Sequence, residues 1–219
     1  MFRMFLEKSM ITLKLLDSNS EIASKINGAI APEINARISK NIDNIKYEMQ
    51  SLIDGWILSQ PEIKSIQSAN PISLAGQFGI RPNSVPYVVS GIVDAVKSAV
   101  FIQFKPFDNN LSGGFSINFQ PIDFSNLLSL PEGHVFYEKG DLHWMNWLLT
   151  MGSTIIVANY SYSPSIGSGR SGLGVMSIGR SFRVPPAFSG TVDNNFVTRA
   201  LNGQSQQGQI TKVIEKALS

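Results

Sequence analysis

Cysteine is absent from the sequence. Disulfides, thiolate nucleophiles and cysteine-ligated zinc are therefore excluded, and stability has to come from packing or association. Histidine is scarce, with only two residues, His134 and His143. Charge is sparse as well: 16% of the residues are charged, against about a quarter in a typical freely soluble domain. So little charge fits a surface partly covered by other subunits, although an independent domain rich in Ser and Asn shares that composition. Neither sign dominates, since 18 basic residues face 16 acidic ones and the net charge is +2. The basic residues are scattered, not striped, so DNA binding as a primary role is not expected. No run of 18 apolar residues occurs, and no membrane span is expected. The opening MFRMFLEKSMITLKLL is broken by Glu7, Lys8 and Lys14 and lacks a small-residue cleavage site. It is not expected to act as a signal peptide.

What is present suffices for a core, with 43% apolar residues. Residues 1–17 read as an N-terminal arm, with strand character through Met10–Leu16. Isoleucines then recur at 22, 26, 30, 34, 38 and 42, followed by Ile45, Met49 and Ile53. Steps of four overshoot a helical turn by about 40° each, so one straight helix cannot keep that stripe on one partner. With Gly28 and Pro32 available as a break, the pattern predicts a helix over 18–30 and a second over 32–58. Ser65–Asn83 reads as a polar connection held down by Leu74, Phe78 and Ile80. Val85–Val100 reads as a helix with Val89, Ile92, Val93 and Val96 inward. Two strands ending near Lys105 and alternating at Phe115, Ile117 and Phe119 flank a turn rich in Asp, Asn and Gly. Asp123 or Ser125 can cap a short turn at Phe124–Leu128, and HVFYE reads as a further strand.

The chain is organised around residues 142–201. LHWMNWLLTM is apolar at helical spacing on most sides and so belongs in a core or under a partner; Gly152 is placed to end it. STIIVANYSY is a strand signal, SPSIGSGRSGLG breaks it, and GVMSIGRSFRV resumes with period two. Val175, Ser177, Gly179, Ser181 and Arg183 are expected on one face, and Met176, Ile178, Arg180 and Phe182 on the other. The result is a β-hairpin with a long glycine-rich tip at Ser163–Gly174, which its backbone entropy is expected to leave mobile in a free subunit. Pro185-Pro186 stops the hairpin, and Thr191 is a candidate N-cap for a helix through Val192, Phe196, Val197 and Ala200. A Gln/Gly/Ser linker then leads to an amphipathic helix at 210–218. Helices first and antiparallel hairpins after them predict an α+β fold. The expected organisation is an arm at 1–17, one α+β domain at 18–201, and a linker with a C-terminal helix at 202–219.

In order, this stretch presents a tryptophan-bearing helix, an apolar strand, G-x-G-R-S-G-x-G-x-M at 167–176, Arg183 before V-P-P, and S-G-T-x-D-N-N-F-x-T-R-A-L at 189–201. Together with S-L-A-G-Q-F-G-I at 73–80 and P-I-D-F-S-N-L-L-S-L at 121–130, it resembles neck or tail-completion proteins of tailed bacteriophages. The resemblance is strongest over 142–201 and leaves the first 35 residues uncovered. It implies a structural virion protein at the head–tail junction, present in the host cytoplasm during assembly. It also implies a homo-oligomeric ring of six or twelve copies, contacts with other neck, connector or tail proteins, and a lumen through which DNA passes unrecognised. Neither catalytic residues nor a cofactor come with it. A tail-tube terminator or another minor tail protein fits the same pattern.

Candidate contact residues are Arg170, Arg180, Arg183 and Arg199, facing partner carboxylates or DNA backbone, with Trp144 and Trp147 as apolar anchors. Intrachain pairing of the arginines fits the pattern equally well. The rival class is a small hydrolase using His134 and His143, nine residues apart with Glu132, Glu138 and Asp141 nearby. That spacing lacks the HExxH or HxH pattern of a metal site. GSGRSG at 167–172 has the letters of a dinucleotide fingerprint, but a strand follows it, not the helix such a site needs. No serine stands in a G-x-S-x-G elbow. Asp193, Asn194 and Asn195 are expected to act in caps and turns.

Overall fold

The computed structural model describes residues 17–121, 123–137 and 140–218, with Tyr137 and Leu218 by backbone only. Apart from Asp17, the expected N-terminal arm, including Met10–Leu16, lies outside the described residues, as does Glu138. The fold is α+β, with a long N-terminal helix, antiparallel hairpins and a C-terminal helix.

A single 40-residue helix, α1 (Asn19–Leu58), replaces the two expected helices. Ser18 starts it with a capping box: its hydroxyl accepts from the Glu21 amide, and the Glu21 carboxylate accepts from the Ser18 amide at 2.7 Å. Pro32 lies inside the helix. It removes one hydrogen bond at a cost of about 3 kcal/mol and does not end the helix. The drifting isoleucine stripe is resolved by what is buried. Ala31, Ile38 and Ile45 are buried at steps of seven, while Ile26 and Ile30 remain exposed. A step of seven keeps nearly one face, which suits an end of the helix with few neighbours. From Ile45 the buried positions continue at Met49, Ile53, Trp56 and Ile57. That half is enclosed by several elements, so a drifting stripe still meets apolar partners.

Two helices occupy much of the supposed connection: α2 (Pro61–Ser68) and α3 (Leu74–Phe78). Pro61 opens the first, and Ile63 and Ile66 are fully buried beneath its polar face, which masked the signal. Ser73 caps α3, and Gly79 ends it in the left-handed region. Leu74, Phe78 and Ile80 are buried, as expected. Then comes α4 (Val85–Ser98), whose Val89, Ile92, Val93 and Val96 meet the enclosed half of α1.

β1 (Phe101–Lys105) and β2 (Gly114–Asn118) pair antiparallel, with Phe104 opposite Phe115. The Asp108 carboxylate organises their turn, accepting from the Asn110 and Ser112 amides; these bonds, Ser112's first, hold its pKa below the ordinary value. Asn35 of α1 bonds both the amide and the carbonyl of Phe107 and fixes the hairpin to the helix. After α5 (Ser125–Leu128) follow β3 (Val135–Tyr137), paired with β4 (Gly140–Leu142), and then α6 (Met145–Leu149).

The last hairpin is β5 (Ile155–Pro164) with β6 (Gly174–Arg183), followed by α7 (Phe196–Leu201) and α8 (Gln204–Leu218). Among the described residues the strands form three separate two-stranded sheets. Asn195, not Thr191, caps α7, because one side chain serves both directions. Its carbonyl accepts from the Val197 and Thr198 amides, and its amide group donates to the Thr191 and Leu149 carbonyls. Residues 191–194 form a turn ahead of it, so the cap and turn role expected of 193–195 is realised. The supposed linker is helical from Gln204 onward. α8 lies along α1, with Trp56 donating to Gln209 and Asn41 to the Ala217 carbonyl.

Candidate functional site

The β5–β6 ribbon is largely exposed. Its strands are each 10 residues long, about 33 Å at the usual rise per residue. Residues 175–180 are all exposed, so the expected alternation does not translate into one buried face. Register shifts between Ile155 and Val157 and between Ala158 and Tyr160 also change the phase of the side chains. Such bulges sharpen the twist. At the second, Asn159 has φ +62°, and the Arg180 amide finds the Ser161 hydroxyl at 3.0 Å. Ile178 is 90% exposed and Ile166 84%, with Tyr160, Val175 and Met176 partly bare as well. Beneath the ribbon runs an apolar groove of about 560 Å³, lined by Phe78, Val135, Leu142, Tyr160, Met176 and Phe182 among others.

The glycine-rich tip folds back on itself. Ser165 donates to the Leu173 carbonyl, Gly167 to that of Gly172, and Gly174 to that of Ser168. Tyr162 adds its hydroxyl to the Leu173 carbonyl at 2.9 Å, and burial raises its pKa. Gly169, at φ +72°, lies so close to the Gly174 carbonyl that no side chain fits. The glycines therefore build a compact folded turn, and Ser171 and Leu173 are buried. Arg170 anchors the tip within the chain by donating to the Phe136 carbonyl.

The other expected contact residues separate into two groups. Trp144 is fully buried, stacked on Phe78 with ring centres 5.2 Å apart, and cannot meet a partner. Trp147 packs against the core and donates to Thr154 at 3.1 Å. Most of α6 is enclosed, with Met145, Leu148 and Leu149 at 0% exposure and Asn146 and Trp147 half-buried, so its apolar side is largely satisfied within the subunit. Arg199 pairs with Glu62, whose side chain is only 1% exposed, and joins α7 to α2. Its role is internal, and α2 supplies a partner that a polar-looking segment concealed. Arg180 and Arg183 remain exposed on the ribbon, with no side-chain partner among the described residues.

His134 and His143 do come together, across the β3–β4 pair. Their rings stack at 3.9 Å, Asp141 binds His134 at 2.6 Å, and Asn146 contacts Nδ1 of His143 at 3.1 Å. Desolvation first, then the neighbouring His134, lowers the His143 pKa; Asp141 and the Leu128 carbonyl pull weakly the other way. Stacked rings present parallel faces instead of converging lone pairs, and no three potential metal ligands cluster among the described residues.

One electrostatic feature escaped sequence reading. Residues 142–192 contain three arginines and no carboxylate, whereas residues 1–141 and 193–219 contain fifteen basic and sixteen acidic residues. The stretch that holds the ribbon is thus positive and the rest of the sequence nearly neutral. No protein-family model, curated protein or solved structure matches this chain.

Proposed function

We propose that the chain is a structural virion protein of the head–tail junction of a tailed bacteriophage, a neck or tail-completion protein that assembles as a ring of six or twelve copies. The observation that carries this reading is the exposed β5–β6 ribbon. A two-stranded sheet alone in water is marginal, and bare apolar side chains beside unpaired strand edges mark a surface meant to be covered. In this reading the positive ribbon of one copy lies on the body of the next, where carboxylates are available to its arginines. Such a head-to-tail contact closes into a ring when the rotation per copy divides a full turn. Neck, connector or tail proteins stack above and below, and DNA passes through the lumen without sequence readout. The resemblance over residues 142–201 supports this role.

The test is to label the protein on particles of a phage that encodes it and to image them. Label at the head–tail junction is expected; label elsewhere or nowhere on the particle overturns the reading. A His134→Ala/His143→Ala double variant addresses the hydrolase alternative. Assembly should be unaffected, and loss of a hydrolytic activity from otherwise normal particles would favour the enzyme.

A further inference from the structure

A second recess, of about 480 Å³, lies where α4, β3 and the ribbon tip meet. Arg81 and Arg170 both line it, with His134, Tyr87 and Phe136. Arg170 reaches this position because Gly79, at φ +72°, has no side chain; a Cβ there would lie 3.0 Å from the guanidinium. Among the described residues neither arginine has an ion-pair partner. The one carboxylate on the wall, Glu132, is turned against Gly91 of α4. His134 is already engaged by Asp141. The first turn of α4 borders the recess, and its dipole adds to the positive potential.

The same recess holds two bare aromatic rings. Tyr87 is 74% exposed and Phe136 69%. Phe136 continues the histidine stack, parallel to His134 within 12° at 5.9 Å. A planar group laid on its free face would extend that row of rings.

We propose that this recess binds a nucleotide unit, its phosphate held by Arg81 and Arg170 and its base laid against Phe136 and Tyr87. An acidic side chain would satisfy the guanidinium pair but leave the aromatics bare. A nucleotide accounts for both, since stacking platforms beside basic groups are how unpaired bases are held. Burial, and next the field of Arg81, hold the Arg170 pKa below the usual arginine value. The proposal does not depend on the ring reading.

The experiment is calorimetric titration of the full chain, at low salt, with AMP, inorganic phosphate and a 5′-phosphorylated oligothymidylate. AMP should bind more tightly than phosphate. Arg81→Gln, an exposed change without structural partners, should weaken both by about tenfold, the scale of one charge-assisted hydrogen bond. Phe136→Leu should weaken AMP by about tenfold and leave phosphate unchanged. Tighter binding of the oligomer than of AMP would assign the site to a strand, and the reverse to a free nucleotide. Absence of AMP binding to the folded chain, AMP affinity unaltered in Arg81→Gln, or a glutamate-rich peptide binding there more tightly than AMP would overturn the proposal.

Discussion

Arg199 shows how a single residue can look like a contact and act as a bracket. Its partner Glu62 is buried, and the second oxygen of that carboxylate has no hydrogen-bond partner among the described residues. Arg199→Ala would leave a buried charge uncompensated, so a loss of roughly 2–4 kcal/mol is expected in chemical denaturation. Unchanged stability combined with lost assembly would return Arg199 to the surface role. His143 gives a second prediction. Its folded pKa lies below its unfolded value, so the unfolded state binds more protons as pH falls. Its contribution is complete above the unfolded value of about 6.5 and is lost as pH falls from there toward the folded pKa. Stability curves should decline through that window, and less steeply in His143→Gln. The sequence disclosed the histidines and the arginines but not their partners. Pairings such as Arg199 with Glu62 or Arg170 with the Phe136 carbonyl join distant segments, and no local spacing encodes them.

At the scale of elements, local chemistry was legible wherever it was strong. The valine stripe of α4, the Asp108 turn and the β5–β6 hairpin all follow from side-chain period and turn residues. The failures occurred where tertiary enclosure outweighed local preference. Pro32 marks a helix boundary by local preference, yet α1 runs through it; Ala31 beside it is buried, and the other buried positions of α1, from Ile38 to Ile57, all lie C-terminal to it. Pro32→Ala should therefore stabilise the fold by about 1–3 kcal/mol, measured by thermal or chemical unfolding. A destabilised variant would mean that the proline is fitted to its surroundings. At the ribbon tip the glycines allow close backbone approaches that let the tip hydrogen-bond with itself, which their spacing alone does not reveal.

For the whole molecule, composition pointed to a chain meant to be covered, but for a reason that needs adjusting. The apolar α6 helix is buried in the subunit's own core and argues for no partner. The case rests instead on the β5–β6 ribbon, with Ile178 at 90% exposure and arginines but no carboxylate over residues 142–192. The measurement that bears most directly on the central claim is the molar mass in solution, by light scattering over a wide concentration range. A ring former should give one discrete species at six or twelve times the 24.0 kDa of a single chain. Ile178→Asp should abolish that species while leaving the fold intact. A stable monomer of 24.0 kDa at every concentration, identical in the variant, would contradict the account.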